Sequence, residues 1–426
     1  MKKRILFWFL FAFFVYTGFL YLYLFLFKSG ELPAQFIGSA ADPATFLGKD
    51  RLELVEEYAP IRDFLFFLGF PLEWGIYLLL LFTDIGQRFE TWTEKIARSK
   101  LIRCLVFTFL VTFCGFILLF PYRYAKYYFS KEYGISQQTF GSWLKEGFID
   151  HLLNWGILFV VALIVIYTME KYQRTFWFRT WLFLIPLALL AFYLQPVLIE
   201  PLYNEVYPLE NKELENKIIS LASKSGVPTE RVFEVNMSDK TNAINAYVTG
   251  IGTNSRIVLW DTMLERLDED EILFITAHEI GHYVEKHIYL GLFGYIIASL
   301  LMFYTISAIY RWIVGEFGET LDIRRERSFR SFLMLLLIFS ILTFATSPAV
   351  NAISRYQEMR ADRYAIELTE NRDAAVSAFQ QLAKAGLSQV NPPVLVKWFR
   401  YTHPTMLERI HFVQTYKLNE AGDYGR

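Results

Sequence analysis

Charge is scarce in this 426-residue chain: only 20% of residues are Asp, Glu, Lys or Arg, and the formal net charge is −1. Without a basic field the chain has no electrostatic footprint for nucleic acid, so no nucleic-acid partner is expected. Cysteine is nearly absent. Cys104 and Cys114 are the only two and lie in one apolar run. Their spacing on a helix is about 15 Å, too far for a disulfide. They therefore leave the redox compartment open, and they exclude a cysteine-based zinc site. Histidine is also rare, six in all. No internal repeat or low-complexity linker stands out.

What the chain has instead is apolar and aromatic: 54% hydrophobic and 18% aromatic, with 41 Phe and 26 Tyr gathered into long runs. A membrane span needs about 20 mostly apolar residues. Seven stretches qualify, at 5–27, 64–82, 104–120, 152–169, 181–199, 288–310 and 332–346, the shorter ones with tilt or local thinning of the bilayer. The first follows Lys2-Lys3-Arg4. That resembles the start of a signal peptide, but the apolar run is too long and no small-residue cleavage site follows, so a retained anchor is expected. An odd number of spans puts the termini on opposite sides. Glu73 falls near the middle of the second span, between Pro71 and Gly75. An ionisable group at that depth either faces a cavity or a partner, or marks an interfacial end of a segment broken at Pro71; both readings stay open.

Two stretches are polar enough to be soluble, 200–287 and 347–426. The first opens on an amphipathic helix, 209–223, stopped by Gly226-Val227-Pro228. Strand-like runs follow at 231–235, 245–251 and 256–260, the last two joined by Gly252-Thr253-Asn254-Ser255, a hairpin signal. Next comes His278-Glu279-Ile280-Gly281-His282, which reads H-E-x-x-H. Residues four apart share one face of a helix, so both imidazoles can reach one metal ion, and Glu279 can reach a water activated by it. A five-residue motif alone is weak evidence. It gains weight from the acids at 268–271, placed where a helix N-terminus favours them, and from the apolar lead-in at 272–277, which buries the helix. A buried His pair needs a partner, and a metal supplies one.

Two histidines do not complete a catalytic zinc site, which takes three protein ligands. The candidate third is Glu358, beyond both later spans on an expected helix at 351–370. Asp362 lies one turn on and shares its face. One carboxylate can bind the metal while the other orients a ligand histidine. Taken alone, this pair would read as a solvated face with Arg355, Arg360 and Arg363; beside H-E-x-x-H the metal reading prevails. Glu279 should not ligate. Its expected role is general base, then proton donor to the leaving amine. His403 and Arg409 are candidates to stabilise the developing oxyanion.

Several separated motifs then carry a resemblance over almost the whole chain. They are Pro196-Val197-Leu198-Ile199-Glu200-Pro201-Leu202-Tyr203-Asn204, Asn245-Ala246-Tyr247, Arg256-Ile257-Val258-Leu259-Trp260-Asp261-Thr262, the H-E-I-G-H segment, Ser354-Arg355 through Glu358 to Ala361-Asp362, and His403-Pro404 with Arg409. Together they resemble the integral-membrane CAAX prenyl proteases of the M48 metallopeptidases. The resemblance implies one zinc ion per chain on His278, His282 and Glu358, with Glu279 as acid/base, Asp362 behind the ligands, and His403 and Arg409 near substrate or transition state. It implies that Asn245 and Ala246 lie on an edge strand that pairs with substrate. It also implies seven helices around a water-filled chamber, which Glu73 would face.

The expected fold class is mainly α: a bundle of about seven transmembrane helices with a gluzincin-like α+β zinc metallopeptidase domain made from two separated segments. The expected divisions are 1–199 (five spans), 200–287 (first peptidase part), 288–346 (two spans) and 347–426 (second peptidase part). The expected function is a membrane zinc endopeptidase acting on peptide or protein substrates, lipidated or not. The alternatives are a quality-control protease without prenyl specificity and a non-catalytic membrane scaffold; an intact Glu279 weighs against the scaffold. No charged insert precedes the zinc helix, so the compact chain is read as bacterial, placed in the inner membrane rather than the endoplasmic reticulum. Orientation carries two opposed signals. The loops on the N-terminal side are richer in Lys and Arg, which puts the site outside the cytoplasm, whereas the family resemblance turns it toward the cytosol.

Overall fold

The computed structural model describes residues 2–27, 30–229, 231–249, 256–321, 323 and 329–417. Among these, seven helices are long and apolar enough to cross a membrane: Lys2–Leu26, Lys49–Phe82, Lys100–Leu118, Phe140–Lys171, Phe176–Leu202, His287–Glu319 and Phe329–Thr369. They correspond in number and order to the seven apolar runs. Their outward faces are apolar, as with Phe7, Phe11 and Phe14 of the first helix, each more than half exposed. Such a surface suits lipid rather than water. Inside the bundle, aromatic and aliphatic side chains close the gaps; Phe107 and Phe329 stack with ring centroids 4.5 Å apart.

The helices outrun the predicted spans, and the seventh does so with consequence. The sequence suggested a span at 332–346 and a separate helix at 351–370. The structure has one continuous helix, Phe329–Thr369, with Pro348 inside it. Proline removes one backbone bond and strains the turn before it, but here the flanking turns hold and the helix continues. At 1.5 Å per residue its 41 residues extend about 60 Å, twice the hydrocarbon thickness of about 30 Å. The C-terminal half therefore leaves the membrane and enters the peptidase domain with Glu358 and Asp362 on it.

The second helix likewise runs unbroken through Pro60 and Pro71, so Glu73 is not at a helix end. It borders a cavity of about 710 Å³ between the second, third, fourth and seventh membrane helices, shared with Arg123, Asp150 and His151. Tyr77 Oη and Ser340 Oγ donate to its two carboxylate oxygens at 3.1 and 3.0 Å. Partners and a cavity both meet the need of an ionisable side chain at that depth.

The peptidase domain joins a small sheet to a helical layer. The strands are β1 (Val206–Pro208), β2 (Val232–Val235), β3 (Ala246–Thr249) and β4 (Arg256–Trp260). Their order is β1-β2-β4-β3; β2 and β4 run parallel and the other pairs antiparallel. The turn expected at 252–255, and residues 250 and 251 of the strand before it, lie outside the described residues. The two strands they would join are paired, Tyr247 opposite Val258. β1 is an addition to the sequence reading. The amphipathic helix is Lys212–Lys224, capped by Asn211, whose side chain accepts from Leu214 N at 3.1 Å. Ile218, Ile257, Leu259, Phe274, Ile280 and Ile366 have no exposed surface and form one core with the motif helix at its centre. That core fixes the helix that carries the two histidines.

Candidate metal centre

The motif helix is Glu269–Val284. Its start is set by a capping box: the Asp268 side chain accepts from Glu271 N, and the Glu271 carboxylate accepts from Asp268 N, both at 2.9 Å. These bonds satisfy two of the orphan donors at the helix N-terminus. Nine residues on from Glu269, His278 begins the face that turns toward the seventh membrane helix.

Gly281 lets the two helices meet. A Cβ there would lie 3.1 Å from Tyr364 Cβ and 3.3 Å from Ala361 Cα, closer than packed carbons ordinarily come. The absent side chain brings the Glu358–Asp362 face against the His278–His282 face.

The three predicted ligands converge. His278 Nε2 is 3.1 Å from Glu358 Oε2, His282 Nε2 is 3.4 Å from Glu358 Oε1, and the two Nε2 atoms are 3.2 Å apart. One donor atom from each residue falls within 4.8 Å of the others. Two nitrogens on a tetrahedral ion with bonds of about 2.0–2.1 Å lie roughly 3.3 Å from each other, so the spacing suits zinc.

The chemistry of the donor set agrees. Burial alone would lower the His278 pKa, but Asp362 and Glu358 outweigh it and lift His278 to about 10. These surroundings demand positive charge at that point, and a divalent cation supplies it. Two imidazoles and a carboxylate form a ligand set common in catalytic zinc sites.

Behind the ligands, His278 Nδ1 is 2.8 Å from Asp362 Oδ1, although the ring N–H points off the line of a well-formed hydrogen bond. Asp362 is fully buried and is gripped by Arg409, whose Nε and Nη2 donate to its two oxygens at 2.8 and 2.6 Å. The Arg409 guanidinium also lies over the Phe379 ring, 4.2 Å from its centroid. Arg409 thus has two nitrogens engaged behind the ligands.

The open side is a cleft of about 370 Å³ lined by Asn245, His278, Glu279, Arg400, Thr402 and His403, among others. Desolvation raises the Glu279 carboxyl above its usual range, opposed by His278 and His282. His403 Nε2 is 3.3 Å from Glu358 Oε2, with 54% of its side chain still open to the cleft. Partial desolvation at the cleft wall lowers its pKa from the usual imidazole value against the opposing pull of Glu358, which favours the neutral imidazole. Ala246 is 3% exposed, and β3 is the edge strand of the sheet. Asn245 O accepts from Trp260 N at 3.1 Å. By the alternation of an antiparallel ladder, Ala246 N–H and C=O then face away from β4 toward the free edge. Ala246 N donates to the Asn245 Oδ1 beside it, at 3.0 Å.

Two neighbours of the site escaped the sequence reading. His287 Nδ1 is 2.9 Å from His282 Nδ1, and Thr402 Oγ1 is 3.0 Å from His403 Nδ1. The signal for the first was visible: His287 is a third histidine just past the motif in a chain with six.

Comparison with known proteins decides the family. Residues 208–417 match peptidase family M48, and residues 66–205 match the CAAX prenyl protease N-terminal region of five membrane helices. The uncharacterized metalloprotease YhfN of Bacillus subtilis is 44% identical over 403 residues, covering 95% of each chain. The chain belongs to peptidase family M48. It is a multi-pass membrane metalloendopeptidase of the type found in the CAAX prenyl proteases. CAAX prenyl protease 1 of Saccharomyces cerevisiae is 28% identical over 80% of this chain and 77% of its own length. The crystal structure of S. mikatae Ste24p superposes with a TM-score of 0.77 at 24% identity, covering 97% of this chain and 98% of that one. It shares the fold, membrane helices and peptidase domain together.

Proposed function

We propose that this M48 peptidase is a zinc endopeptidase of the bacterial inner membrane, with one zinc ion held by His278, His282 and Glu358. The observation that carries the reading is the convergence of three ligand atoms within 4.8 Å, beside an acid that does not ligate. The 44% identity to a Bacillus subtilis metalloprotease supports the bacterial membrane.

When bound, zinc supplies Lewis acidity, polarising the scissile carbonyl and lowering the pKa of water. The residues supply the rest. Glu279 takes the proton from the attacking water and returns it to the leaving amine, and desolvation raises its carboxyl above the usual range, which favours holding that proton between the two transfers. His403, neutral in the cleft, donates from Nε2 to the developing oxyanion, and Thr402 holds the required tautomer by donating to Nδ1. Asp362 orients His278, and Arg409 holds Asp362 in place. An extended substrate adds to the free edge of β3, where Ala246 N–H exchanges its Asn245 side-chain partner for a substrate carbonyl. Main-chain pairing of this kind tolerates varied side chains, so selectivity comes from elsewhere in the cleft or the helix bundle. The names of the yeast, plant and animal relatives point to prenylated CAAX peptides as the substrate class.

The test is Glu279→Gln. An amide cannot accept the water's proton, and loss of a general base costs ~10²–10⁴-fold in rate. The variant should retain zinc and fold while cleavage collapses. Matched farnesylated and unmodified peptides in the same assay read out the lipid requirement. Near-normal turnover by zinc-loaded Glu279→Gln protein would remove Glu279 from the mechanism.

A further inference from the structure

We infer that His287 is the hydrogen-bond acceptor that fixes the tautomer and ring orientation of the ligand His282, a positioning residue that ties the metal site to the sixth membrane helix. This rests on the zinc reading above.

The local chain path makes the contact. The motif helix ends at Val284 and the sixth membrane helix begins at His287. Between them Lys286 sits at φ 56°, the left-handed region that non-glycine residues enter only at a cost. The turn is held by Glu285 N bonding to Gly281 O at 2.9 Å and Lys286 N to Tyr283 O at 3.0 Å. A plain helical continuation would carry His287 onward along the axis. The reversed residue instead folds it back beside His282, with ring centroids 5.0 Å apart and planes at 69°.

The donor and acceptor roles then follow. His282 Nε2 faces His278 and Glu358, so it is the ligand nitrogen and must carry its lone pair there. A neutral ring then has its hydrogen on Nδ1. The atom 2.9 Å from that Nδ1 is His287 Nδ1. Two N–H groups cannot face each other at this distance, so His287 accepts at Nδ1 and bears its own hydrogen on Nε2. His287 is 7% exposed, so water does not readily substitute for it. The two ligand histidines are thus supported differently: a charged carboxylate, Asp362, behind His278, and a neutral imidazole behind His282. Metal-ligating histidines commonly require such a partner, and its loss weakens binding by about 10–100-fold.

The experiment measures zinc affinity by chelator competition on full-length protein in detergent, together with the absorption spectrum of the cobalt(II)-substituted protein. His287→Phe keeps the ring volume and removes the acceptor. His287→Asn places an oxygen near the position of Nδ1 and restores it. Zinc affinity should fall by about 10–100-fold in the Phe variant, with an altered cobalt spectrum, and return to within about threefold of wild type in the Asn variant. Wild-type affinity and spectrum in His287→Phe would overturn the inference. Equal weakening in Phe and Asn would also overturn it, because the residue would then serve packing alone. If the Phe variant does not fold, His287→Ala takes its place with the same expectations. A wild-type protein that binds no zinc would instead refute the metal reading on which the inference rests.

Discussion

Replacing Arg409 by Met should destabilise the peptidase domain by stranding a buried carboxylate behind the ligands. Arg409 is 6% exposed at its side chain and Asp362 0%, joined by two short bonds. Removing one member of a buried ion pair typically costs about 3–5 kcal/mol, because the remaining charge is stranded away from water. In metal-free protein His278, lifted to about 10, carries a proton beside Asp362 and compensates part of the loss. The lower figure, about 3 kcal/mol, is therefore expected. For a domain of 150–250 residues, each kcal/mol moves the unfolding midpoint by roughly 2–4 °C, so a fall of about 6–12 °C should appear in thermal denaturation of chelator-treated protein. The cause can be separated from lost packing over Phe379 by a second substitution. If a stranded carboxylate is responsible, Arg409→Met combined with Asp362→Leu should be more stable than Arg409→Met alone, since no buried charge is left unpaired. An unchanged midpoint in the single variant, or a double variant that loses the sum of both effects, would refute the reasoning.

Two further substitutions probe the cleft. His403→Ala should retain zinc and fold yet lower kcat by about 10²–10³-fold, the usual loss for one oxyanion donor, with KM little changed; a normal kcat at full zinc occupancy would show that His403 does not act in the transition state. Ala246→Pro removes the N–H that faces the free edge of β3 without touching the bonds to β4, so kcat/KM for peptides should drop while zinc content holds; unchanged kcat/KM would make β3 a structural strand only.

Much of this molecule was legible before any coordinates. Runs of Phe, Leu and Ile long enough for a bilayer read directly as spans, because hydrocarbon leaves few other solutions for so apolar a backbone. The spacing of His278 and His282 carried the metal chemistry through helix geometry alone. Glu358 could be nominated because it and Asp362 share a face, although its distance from the motif helix in space was not in the sequence. Other features depended on tertiary context. The apolar run ends at 346 and the next helical pattern starts at 351, so the two read as separate elements, yet packing carries Phe329–Thr369 through Pro348 without a break. The amphipathic helix Asp84–Ile96 and the helix Phe120–Glu132 lie between spans, where apolar runs give no guidance. The engagement of Arg409 by Asp362 joins positions 47 apart, and neither residue type announces the other. Gly281 occupies a free position of H-E-x-x-H, and only the approach of Ala361 and Tyr364 shows why a side chain is excluded there.

The most direct measurement is metal analysis of the purified full-length protein, wild type beside Glu358→Gln. The account predicts about one zinc per wild-type chain, as one three-ligand site requires, and strongly weakened retention in the variant, which keeps the size of the side chain but loses the anionic ligand. A wild-type protein that neither carries nor takes up zinc, or a Glu358→Gln variant that holds it as tightly as wild type, would contradict the assignment of the site.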